Sequence, residues 1–194
     1  MDMAAFDYEL PESAIAQVPA EPRDAARLLV ATDRGEVRHA RVADLPELLG
    51  PGDLLVMNDS RVLPARLLLR KETGGAVEVL LLEPVANGAE GRKGREGWWE
   101  ALVRPGRRVP PGTVLMEGEE GARAAVEVGP APAGASDGRR MVRLLDERLP
   151  ERVGSVALPP YVHRPLPDPE RYQTVYASRP GSVAAPTAGL HLTH

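Results

Sequence analysis

The sequence has 194 residues, of which 43% are hydrophobic, enough for one ordinary domain or two small ones with a real core. The formal net charge is −4, which supplies no overall basic field for nucleic acid, and the lack of cysteine excludes a disulfide scaffold, a thiolate metal site and a cysteine nucleophile. No apolar run is long enough to span a membrane and the first ten residues are acidic, so we expect a cytoplasmic protein with no membrane partner.

The first sixty residues indicate mixed α and β structure with short elements, because 19 Gly and 20 Pro disfavour long helices throughout the chain. The elements predicted there are a short helix over residues 12–17, a hairpin of residues 28–31 with residues 36–39, and a capped helix over residues 44–49. The apolar run at residues 54–57 then predicts a strand buried on both faces.

The middle of the chain changes to short β-like segments separated by Gly- and Pro-rich turns. Their spacing is typical of a small antiparallel barrel or sandwich. The six predicted strands cover residues 62–69, 76–83, 98–104, 113–116, 122–128 and 139–145.

The pattern changes again after Pro150. Residues 170–177 can form a helix that puts Tyr172 and Tyr176 on one face, either to stack on a nucleobase or to pack in the core. Residues 188–192 resemble a strand, and the chain stops at His194, where a helix would be expected to follow. We therefore expect the sequence to be an N-terminal fragment.

Three features could carry chemistry. Asn58, Asp59, Ser60 and Arg61 follow the predicted buried strand, where ligands gather in open α/β sheets, although a plain polar turn explains them equally well. The small-residue run 181–189 permits close approach either to a ligand or to a second backbone. His191 could act as a general acid or base or could simply pack, and the histidine spacing predicts no metal site.

Taken in order, these segments resemble the S-adenosylmethionine:tRNA ribosyltransferase-isomerase family of queuosine biosynthesis. The resemblance is strongest outside residues 84–148. The matching segments are FDYELP (6–11), EPRD (21–24), RLL (27–29), PGDLLV (51–56), NDSRV (58–62), PAR (64–66), LPPY (158–161), Arg164, YQTVYA (172–177) and AAPTAGLH (184–191). Ser60 stands where the family more usually has threonine, and Leu192 where it has phenylalanine.

The resemblance implies a reaction in which S-adenosylmethionine is consumed as the ribosyl donor and no cofactor is permanently bound. The ribosyl group is transferred and isomerised onto 7-aminomethyl-7-deazaguanine at the tRNA wobble position, giving epoxyqueuosine and releasing adenine and methionine. Asp59 and His191 are the implied candidates for the general base. The implied binding residues are Asn58, Ser60, Arg61, Tyr161, Arg164, Tyr172, Gln173, Thr187 and Gly189.

The resemblance also implies an α/β domain, discontinuous and incomplete here, with an inserted six-stranded antiparallel β-barrel. We expect residues 1–61 and 152–194 to belong to the α/β domain and residues 62–151 to the barrel, in a protein that is monomeric when complete. A non-catalytic tRNA-binding module is one alternative. A methyltransferase that uses the same donor is another, disfavoured because no strand is followed by a Gly-rich turn, a helix and a downstream acidic residue.

Overall fold

The computed structural model describes residues 2–32, 35–85, 97–118, 123–135 and 138–194, which fall into two compact units. The first unit consists of Met1–Asp59, Leu158–Ala177 and Pro186–His194. The second, which we call the barrel unit, consists of Ser60–Ala157 and Ser178–Ala185. No helix in the described part of the chain is long and apolar enough to cross a membrane.

The barrel unit is built around a closed antiparallel barrel of six strands. In chain order these are β4 (Arg66–Lys71), β5 (Ala76–Pro84), β6 (Trp98–Arg104), β7 (Val114–Glu117), β8 (Arg123–Val128) and β9 (Arg139–Leu144). Around the barrel the order is β4-β5-β6-β9-β8-β7. The predicted fold class, α/β with an inserted six-stranded antiparallel barrel, is confirmed.

Alternation of side chains along the strands creates the barrel core. In β5, for example, Val77, Val79 and Leu81 are each at most 2% exposed, while the residues between them lie nearer solvent. Three residues outside the strands complete the core: Ala65 just before β4, Val109 from the loop after β6, and Leu149 from helix α2 (Leu149–Val153) are all buried. Closure leaves none of the six strands with an unpaired edge.

The first predicted strand of the barrel, residues 62–69, is divided into two elements. Strand β3 (Ser60–Val62) pairs in parallel with β10 (Arg179–Ser182), whereas β4 begins after Pro64. The division has a physical cause, because proline cannot donate the amide hydrogen bond that a continuous strand requires. The Leu63 amide instead donates to the Ser182 carbonyl at 2.8 Å, next to the parallel pair.

The first unit contains short elements only. The hairpin is confirmed, with β1 (Arg27–Ala31) antiparallel to β2 (Val37–Arg41), and residues 33 and 34 between the strands lie outside the described residues. The first predicted helix is reduced to the 3₁₀ turn Glu12–Ala14, and the second divides into the 3₁₀ turn Val42–Asp44 and helix α1 (Leu45–Leu48).

The predicted buried strand at residues 54–57 is wrong for this structure. These residues form no strand, and Leu54 and Val56 are 86% and 82% exposed. A continuous apolar run is buried only where neighbouring strands pair with it and other elements cover both of its faces. The described part of this unit supplies no such partner strand to residues 54–57.

Two predictions near the end of the chain are also wrong. Residues 170–177 do not form one helix, because the 3₁₀ turn Pro169–Tyr172 ends at Gln173, whose backbone is extended. The expected strand at residues 188–192 is instead the 3₁₀ turn Thr187–His191, which follows Pro186. Proline has a φ angle suited to the residue before or at the start of a helical turn, which explains why both turns begin at or just after a proline.

Candidate functional site

The first unit contains a cavity of 480 Å³ whose wall includes three residues implied by the sequence resemblance. Tyr161, Arg164 and Tyr172 line it together with Arg171, and the remaining wall is mostly proline and aliphatic side chains. Tyr161 is 51% exposed, whereas Tyr172 is only 8% exposed. The cavity therefore combines two phenol rings and guanidinium groups in an apolar surround, as a small-molecule site does.

Gln17 holds the segment that carries Tyr161. Its side-chain Nε2 donates to the Tyr161 carbonyl at 2.8 Å, and its Oε1 accepts from the His163 amide, also at 2.8 Å. Because a carboxamide both donates and accepts, this one side chain satisfies two backbone groups on either side of Val162. Gln17 also lines the cavity, so the same residue shapes the wall and fixes Tyr161.

Arg23 joins the two 3₁₀ turns of the site. Its guanidinium donates to the carbonyls of Gln173 at 2.7 Å, Glu170 at 3.0 Å and Leu190 at 3.3 Å. Burial of the guanidinium, and then the nearby positive charge of Arg171, lower the pKa of Arg23. The planar fork of an arginine can reach three carbonyls on two segments at once, which a lysine cannot do in the same geometry.

The turn that carries Tyr172 is capped at its start and anchored along its length. The Asp168 carboxylate accepts from the Glu170 amide at 3.0 Å, as an N-cap residue does. Arg171 donates to the Ala20 carbonyl at 2.7 Å and forms an ion pair with Glu21 at 3.2 Å. These contacts place Tyr172 in the cavity wall and leave its neighbour Gln173 buried, at 6% exposure.

Gly189 packs directly against the segment that contains Thr174 and Tyr176. A Cβ atom at this position would collide with the Tyr176 hydroxyl and would lie 3.1 Å from the Thr174 methyl group. The small residue is therefore required by close packing inside the protein, which was one of the two readings of the small-residue run. Thr174 is 5% exposed, and its hydroxyl has no hydrogen-bond partner in the described part of the chain.

His191 lies in the wall of a different cavity. This second cavity, of 380 Å³, is lined by His191 together with Asp24, Leu55 and the last residues of the chain. Thr187 is exposed in the same 3₁₀ turn, and Leu190, one residue before His191, lines the first cavity. The turn Thr187–His191 thus contributes to both cavities.

The polar run after residue 57 lies where the two units join in sequence. Asn58 and Asp59 belong to the first unit, and Ser60 and Arg61 begin the barrel unit within strand β3. Asn58 is exposed and the other three residues are partly buried. Asp59 lines neither of the two cavities described above.

Sequence reasoning missed Gln17 and Arg23 as residues that shape the site. Arg23 lies inside the matching segment EPRD, so the family resemblance already included this residue. Its three carbonyl acceptors, however, are 147 to 167 residues away in sequence. No local pattern predicts such a contact. Within the described ranges, no three His, Asp or Glu side chains come together in a way that could hold a metal ion.

Comparison with known proteins agrees with the family resemblance of the sequence motifs. A protein-family model described as "Queuosine biosynthesis protein" matches residues 3–194. Curated relatives named S-adenosylmethionine:tRNA ribosyltransferase-isomerase include one from Dehalococcoides mccartyi, 46% identical over 100% of this chain and 54% of its own length. Another, from Thermus thermophilus, is 49% identical over 98% of this chain and 54% of its own length.

A solved structure described as S-adenosylmethionine tRNA ribosyltransferase from Thermotoga maritima is 38% identical to the chain. The alignment covers 81% of this chain and 51% of that one, with a TM-score of 0.31. The chain spans about half the length of the curated relatives described above, 54% in each case. Because the family model matches nearly every residue, the chain belongs to the queuosine biosynthesis protein family.

Proposed function

We propose that this chain carries the S-adenosylmethionine site of a tRNA ribosyltransferase-isomerase. The complete reaction would transfer and isomerise the ribosyl group of S-adenosylmethionine onto 7-aminomethyl-7-deazaguanine at the tRNA wobble position. Its products would be epoxyqueuosine in tRNA, adenine and methionine. The substrates are tRNA and the consumed donor, no permanent cofactor is required, and the cytoplasm is where such a tRNA substrate occurs.

The observation that carries the proposal is the meeting of Tyr161, Arg164 and Tyr172 around one cavity of 480 Å³. The family resemblance implied these three residues on sequence grounds, and the structure has them in one wall. The cavity volume falls within the range of about 300–1,000 Å³ that small-molecule sites occupy. A site for an unrelated purpose would not be expected to gather all three.

The chemistry of these side chains suits the donor. A phenol ring can stack on adenine, and the face of a tyrosine attracts a cation such as the sulfonium of S-adenosylmethionine. Arg164 can donate to the methionine carboxylate, while Arg171 is already engaged with Glu21 at 3.2 Å. We therefore propose Arg164 as the carboxylate-binding residue and Tyr161 and Tyr172 as the contacts to the rest of the donor.

The reaction needs a base that removes a proton from the carbon next to the sulfonium, so that this carbon can attack, and a proton donor that helps adenine to leave. Asp59 and His191 are the proposed candidates for the base, and the choice between them stays open. Asn58, Ser60, Arg61, Gln173, Thr187 and Gly189 complete the proposed site. The domain boundaries at residues 61 and 151 and the monomeric state of the complete protein are likewise part of the proposal.

The test is the affinity of the protein for S-adenosylmethionine, measured by isothermal titration calorimetry on wild type and on Arg164→Ala. Loss of a charge-assisted hydrogen bond is worth about 1.5–3 kcal/mol, so the dissociation constant should rise roughly 10-fold or more. Arg38→Ala is the matched control, since Arg38 is exposed on β2 of the same unit and lines neither cavity. Equal affinity in wild type and Arg164→Ala would contradict the assignment.

The products separate this function from its alternatives. Incubation of the complete protein with donor and 7-aminomethyl-7-deazaguanine tRNA should release adenine and methionine, detected by chromatography. Two other outcomes would support the alternatives. Binding of tRNA without release of adenine would support a non-catalytic binding module, and detection of S-adenosylhomocysteine in place of adenine would support a methyltransferase.

A further inference from the structure

An exposed cluster of arginines projects from one loop of the barrel unit. Arg104 is the last residue of β6, and Arg107 and Arg108 form part of the 3₁₀ turn Gly106–Arg108 that follows it. All three side chains are exposed to solvent. Three positive charges within five residues contrast with the net charge of −4 on the whole chain.

Five other arginines on this unit are paired with carboxylates. Arg66 pairs with Glu78 at 2.6 Å, and Arg152 pairs with Asp146 at 3.1 Å. The further pairs are Arg143 with Glu127 at 2.6 Å, Arg139 with Glu100 at 3.1 Å, and Arg123 with Asp146 at 3.4 Å. By contrast, no ion pair joins Arg104, Arg107 or Arg108 to a carboxylate in the described part of the chain. Among the residues that the structure describes, no carboxylate therefore competes with an external anion for these three guanidinium groups.

Glu78, the acidic residue opposite Arg104 in the sheet, already accepts hydrogen bonds from another arginine. Glu78 is the partner of Arg104 in the β5–β6 register, but its Oε2 accepts from Arg66 Nε at 3.0 Å and Nη2 at 2.6 Å. Arg104 and Arg70 also line the same surface groove of 580 Å³, and Glu78 is the single acidic residue among its described lining residues. The positive surface thus extends from the loop along the barrel wall.

The loop that presents the cluster is well anchored. Val109 directly after it is fully buried in the barrel core. The Arg108 amide donates to the Pro105 carbonyl at 3.1 Å, and the Gly112 amide donates to the Val128 carbonyl at 2.7 Å. Since the backbone is held on both sides, a bound partner need not order it, which reduces the entropic cost of binding.

We propose that Arg104, Arg107 and Arg108 form a surface that binds the phosphate backbone of tRNA. This inference rests on the proposed function, which makes tRNA a substrate. Guanidinium groups donate two parallel hydrogen bonds to phosphate oxygens, and a row of them follows a phosphate chain better than it fits a single small anion. Such a contact positions the tRNA and reads no sequence.

The test compares the triple variant Arg104→Gln, Arg107→Gln, Arg108→Gln with wild type in filter binding of a tRNA transcript at several salt concentrations. Each phosphate contact contributes about 0.7–0.9 to the slope of log affinity against log salt, so the slope should fall by about 2 to 3. At physiological salt the affinity should fall about 10- to 100-fold.

The charge-matched control is the triple variant Arg123→Gln, Arg139→Gln, Arg143→Gln, which removes the same charge from ion-paired arginines of the same unit. It should change tRNA affinity far less. An equal loss in both triple variants, or none in the first, would overturn the proposed surface. The single variants Arg107→Gln and Arg108→Gln repeat the test should the triple variant show a lowered melting temperature.

Binding of S-adenosylmethionine, measured on the same proteins, separates the two proposals. Normal donor binding combined with a tRNA affinity that does not respond to the first triple variant would overturn the arginine surface alone. A wild-type protein that binds neither donor nor tRNA would overturn the proposed function as well.

Discussion

The site leaves no room for a side chain at Gly189. Because an added Cβ would collide with the Tyr176 hydroxyl, we expect Gly189→Ala to destabilise the protein by about 1–3 kcal/mol through overpacking. Urea unfolding followed by circular dichroism measures this loss.

A double-mutant cycle identifies the contact responsible. Tyr176→Phe removes the colliding hydroxyl, and the remaining neighbours of the added Cβ would lie at 3.1 and 3.2 Å. The variant Gly189→Ala, Tyr176→Phe should therefore recover part of the lost stability. If the two effects simply add, the hydroxyl is not the source of the strain.

Ion pairs of Arg152 hold helix α2 against the barrel. Asp146 accepts from the Arg148 amide at 3.0 Å and from Arg152 Nη2 at 3.1 Å, and Arg152 also binds Glu117 of β7. The Arg148 amide and then Arg152 lower the pKa of Asp146, while the bonds to Glu117 and Asp146 raise the pKa of Arg152. Helix α2 is thereby fastened to the barrel that its Leu149 helps to fill.

The sign of the resulting pH dependence follows from the lowered pKa. An aspartate that ionises more easily in the folded state stabilises it above its unfolded pKa of about 3.9, and this contribution disappears as the pH falls through the folded value. We expect Asp146→Asn to melt below wild type at pH 7, with the difference shrinking as the pH falls below the unfolded pKa and through the lowered folded value. Glu147→Gln, at the exposed neighbouring position, serves as control. A difference that persists at acidic pH would contradict the ionic explanation.

At the scale of the whole molecule, the exposed apolar run at residues 54–57 stands out. Leu54 and Val56 are the most exposed of its side chains, at 86% and 82%. Contiguous exposed apolar surface favours association between molecules. We expect the variant Leu54→Lys, Val56→Lys of the 194-residue chain to self-associate less than the unsubstituted 194-residue chain in analytical ultracentrifugation, with an unchanged melting temperature.

Leu68 supplies the control, because it is a 67% exposed leucine on the barrel strand β4 whose neighbours Leu67 and Leu69 are buried. Leu68→Lys should leave self-association nearly unchanged. Equal association in wild type and the double lysine variant would show that residues 54–57 do not contribute.

The positions of the barrel strands could be predicted from sequence because the pattern that specifies a strand is local, whereas the same pattern fits a barrel or a sandwich. Alternating residues such as Val77, Val79 and Leu81, with Gly and Pro between segments, determine strand positions within a few residues. The 3₁₀ turns at residues 169–172 and 187–191 were less predictable, since short segments of small and polar residues fit several conformations and tertiary contacts choose among them.

The sequence by itself determined the approximate positions of the barrel strands, the β1–β2 hairpin and the motifs that identify the family. Only the tertiary structure decided that β10 pairs with β3, that Arg23 bridges two turns, and that Tyr161, Arg164 and Tyr172 share a cavity. The physical reason is the separation in sequence between the residues that make each contact. Side-chain periodicity records what each residue does to its near neighbours, whereas these contacts join segments far apart in the chain, whose meeting depends on the packing of the whole unit.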